Sequence, residues 1–430
     1  MGEVPKGKGV WGFRELLNKT MKKTNLILLI ITVCILISCK KESKDIISEN
    51  FEFAEKQLTY ALQEMEIAIK NESEKSIAAR SNNGWSELVS PRSLEIDGSL
   101  LMVPSKDWCS GFFPGELWFM YEYTGIEKWK ELAHKQTILL EREKYNNRTH
   151  DMGFKMYCSY GNGYRLTKNE TYRDVLIKSA ETLATRYNPT VGAIRSWDNV
   201  RSHWEYPVII DNMLNLELLF WAAKETGDSI FYNIAVNHAE TTLKNHFRSD
   251  YSSYHVVDYN PENGEVIVKE THQGYNHESS WSRGQAWGIY GYTMCYRETG
   301  KPEFLEQAKN IANFIFTNPN LPEDLIPYWD YNAPDIPNEP RDVSAATCTA
   351  SALYELSVLD PENARQYISW ADTIIENVNK HYRAELYSHK GFLLLHSTGG
   401  KMLGFEIDQP LVYADYYYLE ALLRKKEVKN

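Results

Sequence analysis

The sequence predicts an all-α fold, an (α/α)6 barrel: a toroid of six helical hairpins with a small β-hairpin near the mouth of its cavity. Three observations predict it. Apolar residues recur at three- and four-residue spacing in Phe53–Ile69, Leu176–Tyr187, Leu214–Trp221, Phe304–Phe316 and Tyr354–Ile375, as in helices that bury one face. A short motif repeats ahead of a helix: Tyr123-Thr124-Gly125 before Trp129–Ala133, Glu225-Thr226-Gly227 before Phe231–Ala239, and Glu298-Thr299-Gly300 before Phe304–Ala308. Thr167–Ala180 is a weaker copy without the Gly. Its physical reading is helix, Gly cap, short loop, helix, and such hairpins bury a continuous core only by stacking. Finally, polar and aromatic residues gather at the starts of the first helix of each pair, which favours a closed ring with a funnel on one face over an open solenoid.

In chain order, Lys22 and Lys23 precede an apolar run, Leu26 to Ile37, that ends Ser38-Cys39. It is shorter than the roughly 20 residues a membrane span takes, and has the basic head and apolar middle of a secretory signal. Ser38 before Cys39 resembles a bacterial lipobox, with Cys39 lipidated and Met21 the true start. Residues 1–38 are therefore expected to be an upstream extension and lipoprotein signal peptide, and 39–430 a single (α/α)6 catalytic domain. The expected location is the cell envelope of a bacterium, periplasmic or outer-membrane anchored, touching the membrane only through the lipid. Inner helices should begin near Phe113, Gly153, Asp211, Arg283, Asp342 and Pro410, with Asn50–Lys70 pairing with the last. Ser253–Tyr259 and Glu265–Thr271 alternate around Pro261-Glu262-Asn263-Gly264 and predict the β-hairpin. Arg80–Gly84 and Asn332–Glu339 read as loops.

The formal net charge of −11 argues against a nucleic-acid or general polyanion binder, which needs a basic surface. Cys109, Cys158, Cys295 and Cys348 show neither zinc nor dense disulfide spacing. His150, His255 and His272 have no metal spacing, so neither metal nor cofactor is expected. His134, His238 and His246 fit helix surfaces.

The stretch Thr271–Trp287, THQGYNHESSWSRGQAW, is polar, Gly-interrupted and aromatic, unlike an ordinary core helix. Trp faces beside fixed polar forks suit a sugar ring, which presents an apolar face and a rim of hydroxyls. Trp108, Trp197 and Trp287 sit beside Gly or polar loops and are candidate platforms. Arg283 offers a planar fork suited to a carboxylate, so an acidic sugar is implied. The competing reading is a buried aromatic cluster with a structural Arg. Asp211 lies between Val208-Ile209-Ile210 and Met213-Leu214. Burial should raise its pKa above roughly 3.9, a nearby helix N-terminus should lower it, and a facing Asp151 would raise it again. One of the two would then hold a proton near neutrality. Either aspartate could instead be a helix cap.

Nine segments carry a resemblance: DWCSGFFPGELWFMYEYTG, HDMGF, IIDNMLNLELLFWA, SSYH, DYNPENG, THQG, WSRGQAWGIYG, YWDY and ADYYYLEALLR. From about Asp107 to Arg424 the chain resembles the unsaturated glucuronyl hydrolase family, glycoside hydrolase family 88. The resemblance implies the (α/α)6 barrel and an acidic oligosaccharide substrate with a 4,5-unsaturated uronate at its non-reducing end. It implies hydration of the vinyl ether, with Asp211 as general acid/base and Asp151 as the second carboxylate. It also implies His150, His255 and Gln273 as hydroxyl and water contacts, and Trp108, Trp197 and Trp287 as ring contacts. Arg283 and Trp287 match the carboxylate side of the site. Ser397, in the loop His396–Lys401, falls where the family varies its contacts to the leaving sugar or a sulfate. An unsaturated rhamnogalacturonyl hydrolase, an inverting glycosidase with carboxylates roughly 6.5–9.5 Å apart, and a non-catalytic glycan-binding lipoprotein remain alternatives.

Overall fold

The computed structural model describes residues 1–3, 45–72, 87–198 and 203–429. The expected signal segment, Cys39 and the expected Arg80–Gly84 loop lie outside the described residues. The chain divides at Asn50, and residues from Asn50 onward form one compact unit. Within it, inner elements Phe112–Thr124, Gly153–Gly161, Asn212–Thr226, Ser282–Thr299, Val343–Leu359 and Val412–Lys429 each pack on the next, and the last packs on the first. That closed ring is the (α/α)6 barrel. Inner helices are buried nearly all round, as Ser282 to Cys295 are. Outer helices bury a stripe, as Pro302–Thr317 does with Phe304, Gln307, Ala308, Ile311, Ala312 and Ile315.

The repeated motif ends three of the inner helices in the same way. Gly125, Gly227 and Gly300 take left-handed φ of 66°, 73° and 66° and return an N–H to the helix. The Thr before each Gly donates its hydroxyl to the carbonyl four residues back: Thr124 to Met120, Thr226 to Ala222, Thr299 to Cys295. The same hydroxyls accept the N–H two residues on. In the weaker copy Thr167 makes both bonds and Lys168 takes the left-handed turn at φ 55°.

The structure differs from the sequence reading at several points. Tyr354–Ile375 is not one helix; the chain breaks between Leu359 and Ala364 and reverses from an inner to an outer helix. Leu176–Tyr187 leaves its helix at Ala184, and Tyr187 opens a short strand. The predicted hairpin is present as Val256–Tyr259 and Val266–Glu270, and Pro207–Ile209 adds a third antiparallel strand on its inner edge. That strand delivers the chain to Asp211. A second hairpin, Leu88–Leu94 with Leu100–Pro104, carries Arg92 and was not anticipated. His238 and His246 are buried rather than on a helix surface. His238 Nδ1 accepts the Ile194 N–H at 3.0 Å, and His246 Nε2 lies 3.1 Å from the Val208 carbonyl, so each anchors strand backbone to an outer helix. Asn332–Glu339 contains neither helix nor strand.

Candidate active site

The starts of the inner helices surround a cavity of about 310 Å³. Trp108, His150, Asp151, Trp197, Asp211, Gln273 and Arg283 line it. Close backbone approach sets the geometry of Asp151. A Cβ on Gly153 would lie 2.6 Å from Asn215 Cα, so the HDMGF segment can press on the neighbouring inner helix only with glycine there. Asn215 Oδ1 then accepts the Phe154 N–H at 3.1 Å.

Asp211 stands immediately before the Asn212–Thr226 helix, yet its side chain makes no cap bond. Asp342 before Val343–Leu359 is the contrast: it accepts from the N–H groups of Ser344 and Ala345 and is fully buried as a cap. Freed from capping, the Asp211 carboxyl turns into the cavity, where its Oδ2 has no hydrogen-bond partner. Its pKa is raised to about 7. Burial is the main cause and the Asp151 charge adds to it, while Arg283, its own backbone N–H and the Trp287 indole pull the other way. The Trp287 N–H exerts this pull without reaching full hydrogen-bond geometry.

Asp151 is held as an acceptor. Thr149 Oγ1 donates to its Oδ2 at 2.6 Å, and His150 Nε2 lies 3.2 Å from Oδ1. Burial lowers the pKa of His150 and holds that of His255 well below the usual value, so both are neutral imidazoles near pH 7. The tautomer of His255 follows from its partners. Nδ1 accepts the N–H groups of His272 and Gln273 at 3.0 and 3.1 Å. Its proton is therefore on Nε2, which faces Asp211 Oδ2 at 3.6 Å.

Three expected contacts change character. Arg283 is buried beside the cavity, but its fork is occupied: Nη1 donates to Asp342 Oδ2 and the Thr398 carbonyl, and Nη2 to the Gly399 carbonyl, all at 2.6 Å. With Trp281 and Tyr413 rings 4.6 and 5.3 Å away, it is a clamp on the 398–399 wall rather than an open fork for a carboxylate. Trp287 is fully buried against Phe154 and Tyr417 and forms the floor below Asp211, not a face open to a ring. Ser397 does not reach the cavity; it is fully buried, and its Oγ accepts the Ser344 N–H at 3.1 Å.

Sequence reasoning missed Arg92, Trp204, Glu406 and Tyr413 as lining residues. Trp204 packs on Trp197 at 5.3 Å and extends the aromatic wall. Arg92 grips Glu406 through Nε at 2.5 Å and Asp107 through Nη1 at 3.0 Å, and so ties the first hairpin to the 401–408 loop. Tyr413 begins the last inner helix, the position at which the other site residues cluster. That regularity was the one available signal. Among the described residues, no group of His, Cys, Asp or Glu is arranged to hold a metal ion.

The deciding likeness is to an unsaturated glucuronyl hydrolase of Formosa agariphila, 51% identical over 341 residues that cover 79% of this chain and 85% of the relative. The chain belongs to the unsaturated glucuronyl hydrolase family. It is a glycoside hydrolase with that family's fold. A solved unsaturated glucuronyl hydrolase specific for heparin matches with a TM-score of 0.82 at 43% identity, over 90% of this chain and 98% of that one. A point mutant of the Streptococcus agalactiae family member, complexed with dGlcA-GalNAc6S, matches with a TM-score of 0.71 at 30% identity, over 88% and 90% of the two chains. No family model matches the chain.

Proposed function

We propose that this family member releases a 4,5-unsaturated uronic acid from the non-reducing end of lyase-generated acidic oligosaccharides by hydrating the vinyl ether. The observation that carries the reading is the Asp211 carboxyl, turned into the cavity and unpartnered at Oδ2, where burial raises its pKa to about 7. Asp211 gives its proton to C4, and positive charge develops at C5 and the ring oxygen. Asp151, held by Thr149 and His150, stabilises that charge. Water adds at C5 and returns a proton to Asp211. The hemiketal opens to a C5 ketone, and the hemiacetal left at C1 expels the next sugar with its own oxygen. The Nε2–H of His255 orients the water or a ring hydroxyl. Trp108, Trp197 and Trp204 face the ring.

Purified protein given a panel of lyase-generated unsaturated disaccharides should abolish the near-ultraviolet band of the double bond as sugar is released. Release of sugar from saturated glycosides, with unsaturated ones untouched, overturns the proposal. The basic and apolar run before Ser38-Cys39 supports a second proposal, an envelope lipoprotein anchored through Cys39. Labelled palmitate should enter the wild type in a bacterial host and be absent from Cys39→Ala; equal labelling contradicts the anchor.

A further inference from the structure

Lys155 is fully buried, an unusual place for a lysine unless it is paired. Its pairing is thin. The Nζ donates to Glu143 Oε2 at 3.4 Å, while Glu143 already accepts from Ser105 Oγ and Asn146 Nδ2, each at 2.7 Å. Compare Arg283, which makes three bonds of 2.6 Å. A buried ammonium with one long bond is costly to maintain, and an apolar side chain would fill the slot without that cost. The position explains the cost. The Lys155 N–H bonds the Asp151 carbonyl at 3.1 Å, so the two residues are one helical turn apart and share a face.

We infer that Lys155 is a positioning residue for the acid pair, the buried counter-charge of Asp151 that keeps the proton of the two aspartates on Asp211. This inference rests on the reading of Asp211 as the acid. The other cations around the pair hold shorter ion pairs than the 3.4 Å one of Lys155, and the charge of Arg283 bears on Asp211. His150 and His255 are neutral, Arg283 is bound to Asp342, Arg186 to Asp198, and Arg92 to Glu406 and Asp107. Burial lowers the pKa of Lys155, and the charges of Glu143, Asp151 and Asp107 oppose that shift. Without the ammonium, Glu143 and Asp151 both lose a cation whose charge acts on them, and the Asp151 charge bears on Asp211 unopposed by it.

The test is the pH dependence of kcat/KM in the full-length protein. In the wild type it should fall as pH rises through about 7, where Asp211 loses its proton. Lys155→Met removes a positive charge, so the alkaline limb should move up by about half a unit or more, with kcat about ten-fold lower. Glu143→Gln removes a negative charge and should move the limb down. Opposite displacements from opposite charge changes are not expected of residues that serve packing alone. An unmoved limb, or displacement in the same direction, overturns the inference. If Lys155→Met does not fold, Glu143→Gln decides alone: a downward limb supports the inference and any other result overturns it. Normal turnover by Asp211→Asn would instead remove the reading beneath it, whatever the limbs do.

Discussion

A carboxyl held at a pKa of about 7 inside a protein should cost stability, and the cost can be read by replacing it. Unfolded, Asp211 titrates near 3.8; folded, near 7. Because the folded value is raised, the folded state binds the extra proton between these limits. The associated stability is full below about pH 4 and is lost as pH rises through about 7. Three pKa units correspond to about 4 kcal/mol at most. Asn at 211 resembles the protonated acid at every pH and escapes this loss. Asp211→Asn should therefore be more stable than the wild type, by a margin that widens by about 3 kcal/mol between pH 5 and pH 8. Turnover should fall about 10²–10⁴-fold or more. Urea unfolding of both proteins at the two pH values reads the margin. A margin independent of pH, or a variant less stable than wild type at pH 8, refutes the assignment of the buried proton to Asp211.

Two further substitutions separate scaffold from site. Ser397→Ala removes an acceptor of the Ser344 N–H, so it should cost about 1 kcal/mol in chemical unfolding and leave KM unchanged; a several-fold rise in KM at unchanged stability would restore Ser397 as a substrate contact. Arg283→Lys cannot bridge Asp342, Thr398 and Gly399 together, and should cost about 3–5 kcal/mol along with a raised KM. Wild-type stability and KM in that variant would remove the clamp.

The barrel was legible because its rule is local. A Thr-Gly pair that closes a helix can be seen in a few residues, and so can the apolar stripe of an outer helix such as Pro302–Thr317. Asp211 stood out because an acid among Val208, Ile209, Ile210, Met213 and Leu214 has no solvent to ionise into. What distinguishes it from Asp342 is not local. Both precede a helix, and only the tertiary structure shows that one caps and the other faces the cavity. The partners of Arg283 were hidden for the same reason: its acceptors, Asp342, Thr398 and Gly399, come from distant segments. Arg92 and Glu406 are more than three hundred residues apart, and neither has a neighbour in sequence that announces the pair.

The account's central claim is a proton delivered to an alkene carbon, and one measurement meets it directly. A single turnover of an unsaturated disaccharide in heavy water, quenched at once, should yield a uronate product with one deuterium at C4, formed in step with the released sugar. Release of the sugar with C4 still unsaturated and unlabelled would contradict the claim, because bond cleavage would then have occurred without hydration of the double bond.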